Sequence, residues 1–216
     1  MKNLKLNVQK EFKKIKNNFI QSNTQKNCWI KIIILLVIFA IVLAIVFGLR
    51  ERFLGEINKG IIQNTGFINI NVIKNTGIGF GAFNDNTTLV YLLQITVFVV
   101  ILVIWLFNHK ISLLIPLTLI MAGSIGNILD RLTSGDHSVL DYFQFWFGGA
   151  IFNFADSAIV VGFIILFFTT IYFFIFDLIK ESKNEKKLKQ NNKIEEKLNN
   201  TNQHCLFSKE NSLIEK

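Results

Sequence analysis

The chain has 216 residues, 51% of them hydrophobic, and a formal net charge of +8, with a mean hydropathy of +0.42. That balance excludes an ordinary soluble domain and points to an integral membrane protein. The positive charge collects at the two ends, outside the apolar runs, and does not interleave with aromatic residues; this excludes a nucleic-acid surface and matches the basic cytoplasmic flanks of membrane proteins.

Residues 1–28 are polar and Lys-rich. Leu4, Val8, Phe12, Ile15 and Phe19 recur at roughly helical spacing. Two readings stand here: an amphipathic helix lying on an anionic leaflet, or a solvated basic tail. Trp29 to Leu49 is the first apolar run, broken only by Lys31 near its start. Its length suits a retained membrane-spanning helix, since a cleaved signal peptide has a shorter apolar core. Cys28 precedes it without a Leu-rich box, so the chain does not read as a lipoprotein. Cys28 and Cys205 have no His partner or metal-ligand spacing, and we read both as reduced, incidental residues.

Arg50 to Thr88 is a long mixed segment. Its middle, FININVIKNTGIGFGAF, alternates as short strands do, and Gly77, Gly79 and Gly81 allow close backbone approach. Asn-Thr-Gly occurs at Asn64 and again at Asn75, which we read as two turns and not as a repeat. Leu89 to Phe107 and Ile111 to Leu129 are the second and third apolar runs, joined by Asn108, His109 and Lys110, with Pro116 as a candidate kink in the third. Asp156 to Phe176 is the fourth. The tail that follows is rich in Lys, Glu and Asn and reads as a charged helix fraying into disorder.

The expected fold is therefore an all-α membrane protein of four transmembrane helices with a small extracytoplasmic β-containing loop region. Its parts are a cytoplasmic basic segment (1–28), a four-helix domain (29–178) and a charged cytoplasmic tail (179–216). The distribution of Lys and Arg puts both termini in the cytoplasm and both long loops on the outer face. Asn75, Asp130, Asp141 and Asp156 then share one side of the membrane.

Carboxylates beside apolar segments are costly and tend to be functional. Asp141 and Asp156, both in the stretch RLTSGDHSVLDYFQFWFGGAIFNFAD, are candidates for a catalytic pair. Two close carboxylates share one proton, so one serves as base and the other as acid. The competing reading makes Asn153 a helix cap, Asp156 a first-turn residue favoured by the helix dipole, and Asp141 a plain loop carboxylate. Asn127, Asp130 and Arg131 fall at i, i+3 and i+4 on one helix face. Arg131 is either a membrane-edge anchor or a group that organises carbonyl or phosphate oxygens near the pair. Asn75 and Gly77 form either a plain turn or a site where an amide positions a peptide. His109 and His137 stand alone in loops, with no metal cluster, no Ser-His-Asp set and no phosphate-cradling loop.

Four blocks in order, FININVIKNTGIGFGAF, GSIGNILDRL, SVLDYF and FNFADSAIVVG, resemble the Asn-x-Gly, Gly-Asn-x-x-Asp-Arg, Val-Val-Asp and Phe-Asn-x-Ala-Asp blocks of the lipoprotein signal peptidases (signal peptidase II). The resemblance covers about Leu49 to Phe163. It implies a membrane aspartyl endopeptidase that cuts prolipoproteins before the diacylglyceryl-cysteine at the outer surface of the bacterial cell membrane. It implies Asp141 and Asp156 as the catalytic pair, with Asn75, Gly77, Asn127, Asp130, Arg131, Asn153 and Ala155 on the remaining motif positions. The implied partners are lipid-modified prolipoproteins and membrane lipids, with no cofactor, metal or nucleic acid, a monomeric state, and inhibition by globomycin.

This chain departs from the pattern in three places. Gly48 and Arg52 stand where the family has an Asp followed four residues later by Lys. The interval between Asp141 and Asp156 is a few residues short, which trims a loop over the site. Gln144 replaces a second Asp. The alternatives are a small transporter, which predicts acidic residues in mid-membrane where this chain has none, and an inactive scaffold of the same fold, hinted at only by Gly48.

Overall fold

A computed structural model describes residues 2–79, 82–84, 86–108 and 110–214; the side chains of residues 186–214 and of several positions before residue 27 are not described. His109 and Gly81 lie outside the described residues, as does the side chain of Cys205. Contacts within the chain define two units, Met1–Thr169 and Thr170–Lys216.

The first unit contains α1 (Lys2–Ser22), α2 (Gln25–Phe53), a 3-10 turn (Leu54–Glu56), β1 (Ile61–Asn64), β2 (Ile68–Asn75), α3 (Thr87–Phe107), α4 (Ile111–Thr133), β3 (Val139–Phe145), β4 (Ile151–Phe152) and the start of α5 (Phe154–Ile214). The second unit is the remainder of α5. The backbone of the charged tail, expected to fray, is helical through Ile214.

Among the described residues, four helices are long and apolar enough to cross a membrane: Asn27–Glu56, Thr87–Phe107, Ile111–Thr133 and Phe154–Glu185. They contain the four apolar runs of the sequence and extend them, because helices run on through polar flanking residues that hydropathy alone excludes. They are not equivalent. In α4, 61% of the most apolar stretch is buried, against 6–17% in the other three. α4 is the axis, and the other helices turn apolar side chains outward, as a lipid environment requires.

Small residues let α4 and α5 meet closely. A β-carbon on Gly123 would lie 2.8 Å from Ile159 Cγ1, and one on Gly162 would lie 2.6 Å from Ile120 Cγ1. One on Gly126 would touch the Ala155 methyl at 3.4 Å. Without a hydrophobic drive between helices in lipid, such close approach is a main source of association. α3 is tied to α4 by a buried hydrogen bond, Trp105 Nε1 to Thr118 Oγ1 at 2.9 Å.

The two long loops build one antiparallel sheet, ordered β1-β2-β3-β4. The segments 50–88 and 131–155, separated by two spanning helices, are therefore at the same end of the helices. Ile70 pairs with Phe143 and Ile73 with Asp141, so β2 takes three steps where β3 takes two. Such a bulge re-aims the side chains beyond it. Beneath the sheet, Ile70, Val72, Leu140 and Tyr142 pack on Leu49, Phe53 and Phe154, the ends of α2 and α5.

Candidate active site

The start of α5 explains the placement of Asp156. Asn153 precedes the helix, and its Oδ1 accepts the Asp156 N–H at 2.9 Å, while its own N–H donates to Asp156 Oδ2 at 3.2 Å. This reciprocal pair is a capping box with Asp in the role usually taken by Glu. Phe154 N–H, another donor that the helix cannot satisfy, reaches the Tyr142 hydroxyl at 3.0 Å. Burial pushes the Tyr142 phenol above its ordinary value, so it remains a hydroxyl. The capping reading of Asn153 and Asp156 is thus present in the structure, and it does not compete with chemistry: the box fixes where the carboxylate points.

Asn153 also bridges the two aspartates. Its Nδ2 donates to Asp141 Oδ1 at 2.8 Å and to Asn127 Oδ1 at 3.0 Å. Asn127 Nδ2 in turn donates to Asp156 Oδ1 at 2.8 Å. On the other side Asn75 Nδ2 donates to Asp141 Oδ2 at 2.9 Å. Each carboxylate therefore receives two N–H donors, and every one is a neutral amide. Asp141 is 2% exposed. Burial, and then the Asp156 charge, push its carboxyl up to about 7, against the pull of Asn75, Asn153 and Arg131. An aspartate that keeps a proton near neutral pH can act as an acid.

The sequence of the chain matches the profile of a family described as Signal peptidase (SPase) II over residues 32–172. A lipoprotein signal peptidase of Mycoplasma genitalium is 40% identical over 183 residues, covering 85% of this chain and 99% of the relative. One from Mycoplasma pneumoniae is 35% identical over 182 residues, covering 81% and 96%. Among solved structures, a bacterial membrane enzyme determined by the in meso method at 2.3 Å resolution superposes with a TM-score of 0.57 at 21% identity, covering 64% of this chain and 87% of that one. This last likeness is one of fold. The chain belongs to the signal peptidase II family.

Within this family member, Arg131 does not reach either carboxylate with a hydrogen bond in the structure. It is 2% exposed and clamps its own chain. Nη1 donates to the carbonyls of Asn75 at 3.0 Å and His137 at 3.4 Å, Nη2 to the carbonyl of Gly77, and Nε to Gln94 Oε1 at 3.4 Å. The loop that carries Asn75 is held against β3 in this way. Gly77 contributes backbone on both sides: its N–H closes a turn on Asn75 Oδ1 at 2.9 Å, and its carbonyl meets Arg131.

Asp130 turns away from the pair. Its Oδ1 accepts from Arg50 Nε at 2.5 Å and its Oδ2 from the Leu140 N–H at 3.0 Å, so it joins α2, α4 and β3. Ala155 is fully buried and packs against Gly126. Asp136 pairs with Lys74 at 2.6 Å on the surface, and that contact holds its carboxyl well below the usual range. His137 carries a ring contact to Tyr91.

Three departures from the family pattern have structural counterparts. At Gly48 no described atom lies within 4 Å of where a β-carbon would be; the ion pair at the end of α2 is made two residues on, by Arg50 with Asp130. Arg52 lies over the Phe53 ring, 5.9 Å from its centre. Gln144 ties the trimmed hairpin together, accepting from Asn71 Nδ2 at 3.2 Å and donating to the Gly149 carbonyl at 3.2 Å. A cavity of about 450 Å³ opens beside Asn75, lined also by Lys74, Thr76, Asn84 and the turn at 149–151.

Arg50, Gln94 and Tyr142 are parts of this arrangement that pattern reading passed over. Arg50 read only as a loop cation, and a Tyr next to an Asp carries no signal that it will cap a helix twelve residues on.

Proposed function

We propose that this chain is an aspartyl lipoprotein signal peptidase, with Asp141 and Asp156 as its catalytic residues. The observation that carries the reading is the bridge of Asn153, whose amide holds Asp141 while its backbone N–H holds Asp156. One residue thereby sets both carboxyls on a common target. The substrate class is the lipid-modified prolipoprotein. Its diacylglyceryl chains and signal peptide stay in the bilayer, so its scissile bond lies near the interface, at the level of helix ends.

The pair holds one proton near neutral pH, and we assign it to Asp141, whose side chain is enclosed while Asp156 is half-buried. Asp156, at the positive end of α5, takes a proton from water as the water oxygen adds to the scissile carbonyl. Asp141 gives its proton to the carbonyl oxygen. The tetrahedral species then collapses. The C–N bond breaks, the leaving amine of the modified cysteine takes the proton from Asp156, and Asp141 recovers its own from the hydroxyl. No metal or redox partner enters this balance.

Asn75, Asn127 and Asn153 act as neutral donors that orient the carboxyls without fixing either charge. Arg131 and the Asp130–Arg50 pair act at one remove, by holding the loop and the sheet. Topologically, the Lys and Arg distribution favours cytoplasmic termini with the pair at the outer face, in a chain that works as a monomer within the lipid.

Purified protein incubated with lipidated prolipoprotein should yield the shortened product. Asp141→Asn and Asp156→Asn should each lower cleavage by about 10²–10⁴-fold, the usual contribution of a positioned acid or base. Both variants should keep the thermal unfolding profile of a folded membrane protein. Full activity in either would remove that aspartate from the mechanism. Globomycin should block the reaction, and unmodified prolipoprotein should be cut far more slowly than the lipidated form.

A further inference from the structure

The active site leaves α1 unused, yet its place in the fold is well defined. The helix ends at Ser22, and the chain turns through Asn23 and Thr24, whose backbone is extended at φ −58°, ψ 153°. α1 is therefore not a continuation of α2. Its last turn is fastened to the end of α3. The Phe19 and Phe107 rings lie 5.2 Å apart, and Asn23 Nδ2 donates to the Leu106 carbonyl at 3.1 Å. Lys31, in the first turns of α2, is 2% exposed; its Nζ donates to the same carbonyl at 2.7 Å and to Asn23 Oδ1 at 3.2 Å. Leu106 and Phe107 are the final residues of a spanning helix. So α1 departs from the level at which the hydrocarbon of the bilayer ends.

From that level the helix carries the two faces that an interface selects. Phe12, Ile15 and Phe19 recur at i, i+3 and i+7. Phe12 is 71% exposed, Ile15 51% and neighbouring Ile20 55%. Lys10, Lys13, Lys14 and Lys16 occupy the flanks and the opposite side, and Glu11 is the one acidic residue of α1 beside six lysines. We infer that α1 lies along the membrane surface, its apolar edge among the acyl chains and its lysines on the headgroups of an anionic leaflet. A lipid occupant is favoured over an acidic protein because the junction of Asn23, Lys31 and Leu106 starts the helix at the edge of the bilayer. Each lysine near an anionic surface adds attraction, and the apolar edge adds depth. This inference does not depend on the catalytic assignment.

The test uses the full chain in nanodiscs, made either of phosphatidylcholine alone or of phosphatidylcholine mixed with phosphatidylglycerol. In a Cys28→Ser, Cys205→Ser background, Ile15→Cys and Lys14→Cys are compared for reaction with a neutral, water-soluble maleimide. In the anionic discs Ile15→Cys should react several-fold more slowly than Lys14→Cys, and the difference should shrink in the neutral discs. Adding Lys10→Glu, Lys13→Glu and Lys16→Glu should restore fast reaction at Ile15→Cys. Processing of lipidated substrate in the same discs checks that the variants are folded. Equal rates at the two positions in anionic discs would make α1 a solvated tail and overturn the inference. Protection of Ile15→Cys that is the same in both lipids and survives the charge reversal would also overturn it, since the cover would then be protein.

Discussion

The triplet Asn-Thr-Gly occurs twice, and the two copies close the same hydrogen bond, although only Gly66, and not Gly77, has a positive φ. In each, the Asn side chain accepts the Gly N–H two residues on, at 2.7 Å for Asn64–Gly66 and 2.9 Å for Asn75–Gly77. This is the Asx turn that such residues form on their own. What surrounds the turns differs. Asn64, Thr65 and Gly66 are exposed at the tip of the β1–β2 hairpin, where Thr65 Oγ1 merely bonds the Ile68 carbonyl. At the second copy the carbonyls of Asn75 and Gly77 are gripped by Arg131, and the amide of Asn75 is turned onto Asp141. Local sequence makes the turn in both places; only at the second do a buried guanidinium and a carboxyl converge on it.

The largest way to erase the difference is to remove the clamp. Arg131→Met leaves the buried carbonyls of Asn75 and Gly77 without a donor, at about 1–3 kcal/mol for each. It also frees the second turn to behave as the first. Cleavage should drop about 100-fold or more, with a lowered unfolding temperature. Arg131→Lys should recover only part of either, because an ammonium cannot serve several carbonyls in the fixed fork of a guanidinium. Wild-type activity in Arg131→Met would show that the turn needs no grip.

A smaller change tests the amide itself. Asn75→Ala removes one donor to Asp141 and the acceptor of the Gly77 N–H, and leaves Arg131, Asn127 and Asn153 in place, so cleavage should fall about tenfold, by analogy with the net worth of one hydrogen bond to a charged group. The pH profile distinguishes this from a merely structural loss. Asp141 titrates near 7, so activity should decline as pH rises through that value. The Asn75 hydrogen bond favours the charged carboxylate and lowers that value. Its removal should therefore move the alkaline limb to higher pH, whereas Asn64→Ala should leave it in place. A limb that stays put in Asn75→Ala would detach Asn75 from Asp141.

The same shift has a signature in stability. The Asp141 carboxyl titrates at about 7 in the folded protein against an ordinary 3.8. The native state then binds more protons than the unfolded state between those values, and stability contributed by the neutral acid is lost as pH rises from about 4 to about 7. Asp141→Asn cannot ionise, so its unfolding temperature should change less with pH over that window than the wild-type value does.

Much of this was legible in the chain before its fold. The four apolar runs mark the four helices, because hydrocarbon demands length and apolarity from each one separately. Asn127 lies in the last turns of the third run, and Asn75, Asp141 and Asn153 in the two segments between runs, which meet because both lie at one end of the bundle. The partnerships were harder to read. Asp130 reaches Arg50, 80 residues away, and not its neighbour Arg131. That choice depends on which helix faces touch: Arg50 is on α2, which approaches α4 at Gly126, where an added β-carbon would meet Val46 at 3.5 Å. Arg131, a candidate organiser of oxygens, does bind carbonyls, but they belong to its own backbone. The capping box and the aspartate pair look like rival readings of Asn153 and Asp156 in one dimension, and in the structure they are compatible, since Asn153 both caps Asp156 and donates to Asp141.

The smallest effects belong to the first turn, and they complete the comparison. Asn64→Ala loses one exposed hydrogen bond and should cost no more than about 0.5 kcal/mol, in the range of surface substitutions. Gly66 has φ +88°, a left-handed conformation that a side chain strains, and nothing lies within 4 Å of the added carbon. Gly66→Ala should therefore cost about 1 kcal/mol through the backbone alone. Neither should change the cleavage rate or its pH profile at a temperature where the protein is folded. If Asn64→Ala slowed cleavage as much as Asn75→Ala, the hairpin tip would itself be touching substrate, and the two turns would not divide into one that shapes the fold and one that aims a carboxyl.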